Sequence, residues 1–117
     1  MPNILPNAEN AVIDSRKLRD YVLNPEHAVG RHKAAFFGAM GYSRDRWQEL
    51  ADDIRSQLIT RDAESGSPSP FGRKFTITGP LTGPNNRVVR QVTVVWIFRG
   101  DNDYAELVTI EPATRDK

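Results

Sequence analysis

The sequence predicts an α+β domain in which three N-terminal helices pack on one face of a small antiparallel β-meander. In the first half of the chain, apolar residues recur at helical spacing. The second half holds three runs of β-branched and aromatic residues separated by turn-forming residues. Because the two patterns are segregated along the chain, helices and strands are expected to form separate layers around one core.

The composition indicates one globular domain covering residues 1–117. The sequence is 38% hydrophobic and 26% charged, which suits a packed core with a hydrated surface. There is no cysteine, so disulfides, thiolate nucleophiles and cysteine-based metal sites are excluded. No run reaches the ~18 apolar residues of a membrane span, and the first residues lack a basic and apolar leader. A cytoplasmic protein without membrane association is expected.

Two segments are expected to lack regular structure. Residues 1–13 hold two prolines and three asparagines, and they predict an extended N-terminal arm in which residues 11–13 pair briefly as a strand. Residues 62–70 contain no bulky apolar side chain and predict an exposed loop.

Three helices are predicted from apolar stripes and from capping residues. The first covers about 15–23, the second covers 31–40, and the third follows Ser43 and ends near Leu58. Asp14 or Ser15 would cap the start of the first helix, and Asn24-Pro25 would end it. Gly30 and Gly41 flank the second helix, and Ser43 would cap the start of the third.

Three strands are predicted at residues 71–80, 87–99 and 106–111, with turns at 84–86 and 100–102. The middle strand is apolar on both faces near its end and is therefore expected to be central. The sheet face away from the helices would present polar side chains to a ligand, among them Gln91, Thr93 and Arg99.

Both histidines of the chain, His27 and His32, fall within residues 21–37. Histidine is the side chain whose ordinary pKa of about 6.5 suits proton transfer near neutral pH. Because His32 stands between Arg31 and Lys33, this segment combines proton transfer with anion-binding charge. Residues 16–33 carry five basic and two acidic side chains in a chain of net charge +1, so a local basic patch is expected.

Much of the chain resembles a family of small bacterial domains of unknown function. The resemblance rests on the runs Leu5 to Asp14, Lys17 to Tyr21, Leu23 to His27 and Gly30 to Ala34, with Phe37, Trp96-Ile97 and Leu107-Val108-Thr109. Helices followed by a small meander, with an early His-Lys-Ala segment and a closing Leu-Val-Thr strand, are in turn similar to toxin domains of the barnase, EndoU, colicin and RelE nuclease fold.

This second resemblance implies metal-independent cleavage of RNA, with tRNA as one candidate substrate, by attack of the ribose 2′-OH on phosphorus. Such a reaction needs a general base, a general acid and cations for the phosphate oxygens. His32 would fill one proton-transfer role, and no second acid or base is evident. The implied catalytic residues are His32, Lys33, Lys17, Arg99 and Thr109, and the implied substrate-binding residues are Arg31, Trp96 and His27.

Each of these residues also has a purely structural interpretation. In that interpretation His27 is a turn residue, and His32, Lys17 and Lys33 are solvated helix side chains. Trp96 is then a core residue, and Thr109 is an ordinary strand residue. The corresponding alternative function is a non-catalytic protein-binding module. The ribonuclease hypothesis requires His32, Lys33 and a strand cation on one concave surface, whereas the binding-module hypothesis lets them scatter.

No metal and no cofactor are expected. The spacing of His27 and His32 is not a standard ligand pattern, and neither a phosphate-binding glycine loop nor a dinucleotide fingerprint occurs. The expected partners are RNA and a cognate inhibitory protein, an immunity protein or an antitoxin.

Overall fold

A computed structural model describes residues 4–28, 30–84 and 88–113. It has the mixed α+β architecture with an antiparallel sheet that the sequence predicts. Over these residues, no helix is both long enough and apolar enough to cross a membrane. Asn85 and Asn86 of the predicted turn lie outside the described residues.

The helices are short and two of them end in wider turns. Helix α1 (Ser15–Lys17) continues as a π-helical segment (Leu18–Val22), α2 is Arg31–Ala39, and α3 (Trp47–Asp53) continues as a second π-helical segment (Ile54–Leu58). Single 3₁₀ turns occupy Ala8–Asn10 and Arg44–Arg46.

Two of the predicted helix boundaries are confirmed. The Asp14 carboxylate accepts a hydrogen bond from the Arg16 backbone N–H at 2.9 Å and so caps α1. Hydrogen bonds from the side chain and backbone of Arg16 lower the pKa of Asp14 to about 2. Gly41 follows α2 with φ 103°, the left-handed conformation that glycine adopts at a helix end without strain.

The sheet contains β1 (Ala63–Ser69), β2 (Gly72–Thr82), β3 (Val89–Phe98) and β4 (Glu106–Pro112), in the order β1-β2-β3-β4. Each neighbouring pair is antiparallel. Strand β3 therefore has partners on both sides, as its two apolar faces predict.

The prediction of a loop at residues 62–70 is wrong, because most of this segment forms the edge strand β1. Ala63 lies opposite Ile77 and Ser65 lies opposite Phe75, and the register shifts before Pro68. Backbone hydrogen bonds need no apolar side chain, and an edge strand tolerates proline because one of its sides faces solvent. Exposure was predicted correctly for Glu64, Ser65 and Ser69, whereas Ala63 is buried.

One sheet face and the helices enclose the core. Side chains with less than 2% exposure include Leu18, Phe37, Leu50, Ile54, Ile77, Leu81 and Trp96. Burying each such side chain contributes roughly 1.5–3 kcal/mol before the cost in conformational entropy. The opposite sheet face is mixed: it carries Val95 and Ile97 of β3, and Thr78 and Thr93 share a hydrogen bond of 2.9 Å there.

The N-terminal arm reaches the outer edge of β4. Val12 pairs with Glu106 in a parallel bridge, in which the Val12 N–H donates to Ala105 O at 2.8 Å and the Leu107 N–H donates to Val12 O at 2.9 Å. The short pairing expected at residues 11–13 is therefore present. Because α1 follows directly, this contact sets α1 beside β4.

Candidate functional site

The two histidines lie in different environments. His32 is on the exposed side of the first turn of α2, and within the described residues it forms no hydrogen bond, ion pair or ring contact. His27 is half-buried in the loop before α2, with its ring packed edge-to-face on Tyr21 at 4.9 Å between centroids. Successive helix residues are rotated by about 100°, so Lys33 leaves the helix in a different direction from His32.

The Lys33 ammonium joins α2 to α1 and β4. Its Nζ donates to Tyr21 OH at 2.7 Å and to Thr109 Oγ1 at 3.2 Å, and it lies 3.7 Å from a carboxylate oxygen of Glu111. The Lys33 side chain is 18% exposed, whereas the Glu111 side chain is 43% exposed. Lys33 is thus a partly desolvated cation with three oxygen partners on two separate elements.

The loop between α1 and α2 is built around Asn24. Its side-chain amide donates to Asp20 O at 3.2 Å, its side-chain oxygen accepts from the Glu26 N–H at 3.0 Å, and its carbonyl accepts from the His27 N–H at 3.2 Å. The turn at Asn24-Pro25 therefore ends the first helix and also places the His27 ring against Tyr21.

The protonation geometry of His27 is set by the backbone of Gly30. Its Nδ1 accepts a hydrogen bond from the Gly30 N–H at 3.0 Å. A ring nitrogen that accepts a hydrogen bond carries no proton, so neutral His27 holds its proton on Nε2.

Position 30 requires glycine because the backbone of Tyr21 approaches it closely. Its φ of −83° is open to any residue, so backbone conformation is not the reason. A Cβ there would overlap the Tyr21 carbonyl oxygen and lie 3.1 Å from Tyr21 Cδ1. The absence of a side chain lets the start of α2 pack against the π-helical segment that carries Tyr21. This packing brings Lys33 within hydrogen-bonding distance of the Tyr21 hydroxyl.

A cavity of about 680 Å³ opens beside this cluster, and its lining includes Lys17, Tyr21, His27 and Thr109. Both acidic residues of the lining are paired with arginines: Asp14 with Arg16, which lines the same cavity, at 2.7 Å, and Asp20 with Arg19 at 3.0 Å and with Arg44 at 3.4 Å. Lys17 forms no ion pair with any other described residue. Lys17 is therefore the lining cation that no carboxylate contacts directly within the described part of the chain.

The remaining candidates lie elsewhere. Arg31 is exposed and donates to Ala28 O at 3.3 Å. Arg99 pairs with Glu106 at 3.2 Å. Thr109 lies opposite Val95 in the neighbouring strand. Val95 and Arg99 are four residues apart, which corresponds to about 13 Å along an extended chain. Arg99 therefore lies at a different level of the sheet from the contact between Lys33 and Thr109, and among the described residues no hydrogen bond or ion pair joins His32 to Lys33 or Arg99.

The interpretation of Trp96 as a substrate-binding residue needs correction. Its side chain is 0% exposed, so the indole cannot stack on a nucleobase. Its even position in β3 places it on the face that the helices cover, which is the structural alternative that the apolar strand pattern already indicated.

Tyr21 and Glu111 were not among the predicted site residues. Tyr21 belongs to the apolar stripe of the first helix, so its ring was explained as core packing and its hydroxyl was not considered. A buried tyrosine hydroxyl needs a polar partner, and this requirement is the signal that points to Lys33. Glu111 closes β4 and carries no comparable signal.

The cluster offers little to a metal ion. Across residues 4–28, 30–84 and 88–113, no three side chains of His, Cys, Asp and Glu come together as a metal site. Its donors, an ammonium, a phenol and an imidazole N–H, suit a bound anion instead.

Comparison with known proteins gives one match. A family described as a domain of unknown function, DUF6883, matches residues 4–114. No curated protein and no solved structure matches the chain. The match covers both the cluster around Lys33 and the whole sheet, and the chain belongs to the DUF6883 family of domains of unknown function.

Proposed function

We propose that this domain is a metal-independent endoribonuclease that cleaves RNA by attack of the ribose 2′-OH on the adjacent phosphorus. The observation that carries the proposal is the hydrogen bond of 2.7 Å from Lys33 Nζ to Tyr21 OH, beside a cavity that also exposes His27 and Lys17 to an incoming anion. The proposal takes the fold to be helices before a small meander, as the nuclease-toxin resemblance implies.

Tyr21 is the proposed general acid. Because Lys33 donates to the phenolic oxygen, the phenol keeps its own proton for donation to the departing 5′-oxygen. The ammonium then faces the phenolate that forms and stabilises its charge. With Glu111 as the base, this assignment fills both proton-transfer roles without His32.

Glu111 is the proposed general base. Its carboxylate is 43% exposed and lies 3.7 Å from the ammonium that contacts Tyr21, so acid and base flank one cation. The 2′-oxygen gives its proton to this carboxylate and forms a bond to phosphorus, while the bond from phosphorus to the 5′-oxygen breaks. The products are a 2′,3′-cyclic phosphate and a 5′-hydroxyl.

His27 and Lys17 are proposed to bind the phosphate. Neutral His27 carries its proton on Nε2 and serves as a hydrogen-bond donor to a phosphate oxygen, while Lys17 supplies positive charge. Groups of this kind lower the barrier by stabilising charge that develops on the equatorial oxygens.

The test is cleavage of a synthetic RNA in EDTA by the wild type, Tyr21→Phe and His32→Ala. We expect cleavage by the wild type and by His32→Ala, and a loss of about 10²- to 10⁴-fold in Tyr21→Phe, which keeps the ring and removes the proton. An RNA with 2′-deoxyribose at the cleaved position should resist. Equal cleavage by Tyr21→Phe, or none by the wild type, would overturn the proposal.

One observation favours the alternative, a non-catalytic protein-binding module. Of the residues first expected to form the site, His32 is joined to neither Lys33 nor Arg99 by a hydrogen bond or ion pair among the described residues, as that alternative allows. The same assay separates the two functions, because a binding module has no cleavage for either variant to lose.

A further inference from the structure

A second concave region lies where the turn between β1 and β2 approaches the N-terminal arm. Two cavities of about 840 and 490 Å³ occupy it. Both are lined by Pro6, Arg73 and Phe75, so they adjoin and form one groove. Volumes in this range are typical of small-molecule sites. Neither cavity shares a lining residue with the cavity beside Lys33.

The floor of the groove is aromatic and carries a cation. Phe75 and Phe98 pack edge-to-face at 5.4 Å between centroids, and Phe98 is only partly buried. The Arg73 guanidinium lies 5.5 Å from the centroid of the Phe75 ring. Arg73 is exposed and forms no ion pair within the described part of the chain. An uncompensated guanidinium beside an aromatic surface suits a ligand that combines a flat ring with an anion.

The walls of the groove are held by backbone in unusual conformations. Gly72 has φ 134° and Gly100 has φ 52°. A Cβ at Gly72 would overlap the Phe98 carbonyl oxygen, so the turn after β1 presses directly on the end of β3. Asn7 has φ 53° and donates from its side chain to Asp103 O at 2.6 Å. The mouth is thus formed before any ligand arrives.

Polar groups around the mouth restrict what can bind. Asn7 and Asn102 offer amide groups of the kind that pair with base edges. Glu64 and Asp103 also line the groove, and their negative charge leaves the Arg73 guanidinium as the place for a single phosphate. The lining therefore suits one nucleotide with its phosphate at Arg73.

We propose that this groove binds one nucleotide of a single-stranded RNA, with the base against Phe98 and the phosphate on Arg73. Stacking on an aromatic side chain and a guanidinium contact to phosphate are the two ordinary contacts of such a site. The inference rests on the proposed function for the identity of its ligand, and it gives the substrate a second contact outside the reacting site.

The test is a titration of the full chain with the four ribonucleoside 5′-monophosphates, followed by amide NMR signals. We expect saturable shifts at Gly72, Gly100 and Asn102, and binding weakened at least about tenfold by Arg73→Ala. Adenosine, which lacks the phosphate, and ribose 5-phosphate, which lacks the base, should each bind more weakly than AMP. Arg90→Ala is the matched control, since Arg90 is an exposed arginine at the opposite end of β3, and it should bind as the wild type does.

Shifts confined to Lys17 and Lys33, unchanged binding in Arg73→Ala, or equal binding of ribose 5-phosphate and AMP would overturn the inference. Binding is measured without cleavage, so this outcome is distinguishable from failure of the proposed function. If the protein cleaves no RNA but nucleotides still shift the Gly72 signal, the groove proposal stands and the ribonuclease proposal fails. If the protein cleaves RNA without these shifts, the ribonuclease proposal stands and the groove proposal fails.

Discussion

His27 and His32 are separated by only five positions, yet the fold treats them differently. His27 is in a loop that an asparagine turn folds back, and its ring contacts Tyr21 at 4.9 Å between centroids. His32 is on a regular helix and is exposed. In the sequence, Arg31 and Lys33 are the neighbours of His32. In the folded chain, Lys33 contacts Tyr21, the residue on which the His27 ring packs.

This difference shows that adjacency in sequence is a weak guide to a site on a helix. Neighbouring helix residues diverge by about 100°, so a His-Lys pair rarely acts on the same ligand atom. A loop can return a side chain to the preceding helix, as the turn at Asn24 does. A functional pair in such a domain is better sought across elements than along one.

The largest expected effect separates the two histidines directly. We expect His27→Ala to lower kcat/KM for RNA by about 10²- to 10³-fold, because it removes one donor to the reacting phosphate. His32→Ala should stay within about twofold. Cleavage rates of both variants, with thermal unfolding to confirm folding, check this. Equal losses in the two variants would remove the distinction.

A smaller effect concerns the packing that brings α2 onto Tyr21. Gly30→Ala should lower the free energy of unfolding by about 1–3 kcal/mol, since its Cβ would overlap the Tyr21 carbonyl oxygen. The matched control is Gly38→Ala in the same helix. No atom lies within 4 Å of a Cβ at Gly38, so this substitution should stabilise by about 0.5–1 kcal/mol. Urea denaturation measures both, and the same sign in both variants would contradict the packing argument.

A third prediction concerns the hydrogen bond between Lys33 and Thr109. Thr109→Val keeps the shape of the side chain and removes an acceptor that lies 3.2 Å from Lys33 Nζ. We expect a loss of about 0.5–1.5 kcal/mol in the free energy of unfolding. His32→Ala, which breaks no contact, should stay within about 0.5 kcal/mol of the wild type. Chemical denaturation tests the pair, and an undiminished stability in Thr109→Val would show that Lys33 is held by its other partners.

The smallest effect is a pH dependence at the start of α1, the element that leads to Tyr21. The pKa of Asp14 falls from 3.8 to about 2 on folding. A lowered pKa means that the carboxylate stabilises the folded state above pH 3.8, and that this contribution is lost as the pH falls through about 2. Amide exchange in residues 15–17 should therefore rise over this range, while exchange at His32 should not follow it.

Asp14→Asn is the control for this pH dependence. Asparagine retains the oxygen that caps the helix and loses the titrating group. The pH dependence at residues 15–17 should disappear while the cap stays. An unchanged pH dependence in this variant would assign it to another acid, of which Asp20 is the nearest on the same segment.

The fold was largely predictable because periodicity and turn chemistry act locally. The stripe from Leu50 to Leu58 indicates a helix, and the alternation from Val92 to Phe98 indicates a central strand. β1 was missed because Ala63 to Ser69 pair through backbone groups alone, and a strand with no apolar alternation has no side-chain signature.

The candidate site was predictable in part. The sequence names Lys17 and Lys33 from a basic segment and Thr109 through the nuclease resemblance; in the structure Lys33 contacts Thr109, and Lys17 and Thr109 line the same cavity. Tyr21 and Glu111 were missed because their contacts with Lys33 span 12 and 78 positions and depend on packing at Gly30, which no local pattern reveals. Trp96 was assigned to the site from a loose resemblance, although its strand position indicates the core.

The most direct test of the central claim, that Tyr21, His27 and Lys33 form one anion-binding site without His32, is a titration that needs no turnover. The probe is an oligoribonucleotide with 2′-deoxyribose at the cleaved position, which removes the attacking hydroxyl, and the readout is the ring signals of both histidines. We expect the ring signals of His27 and Tyr21 to shift on binding and the ring signal of His32 to stay unchanged. A shift of His32 with His27 unaffected would contradict it.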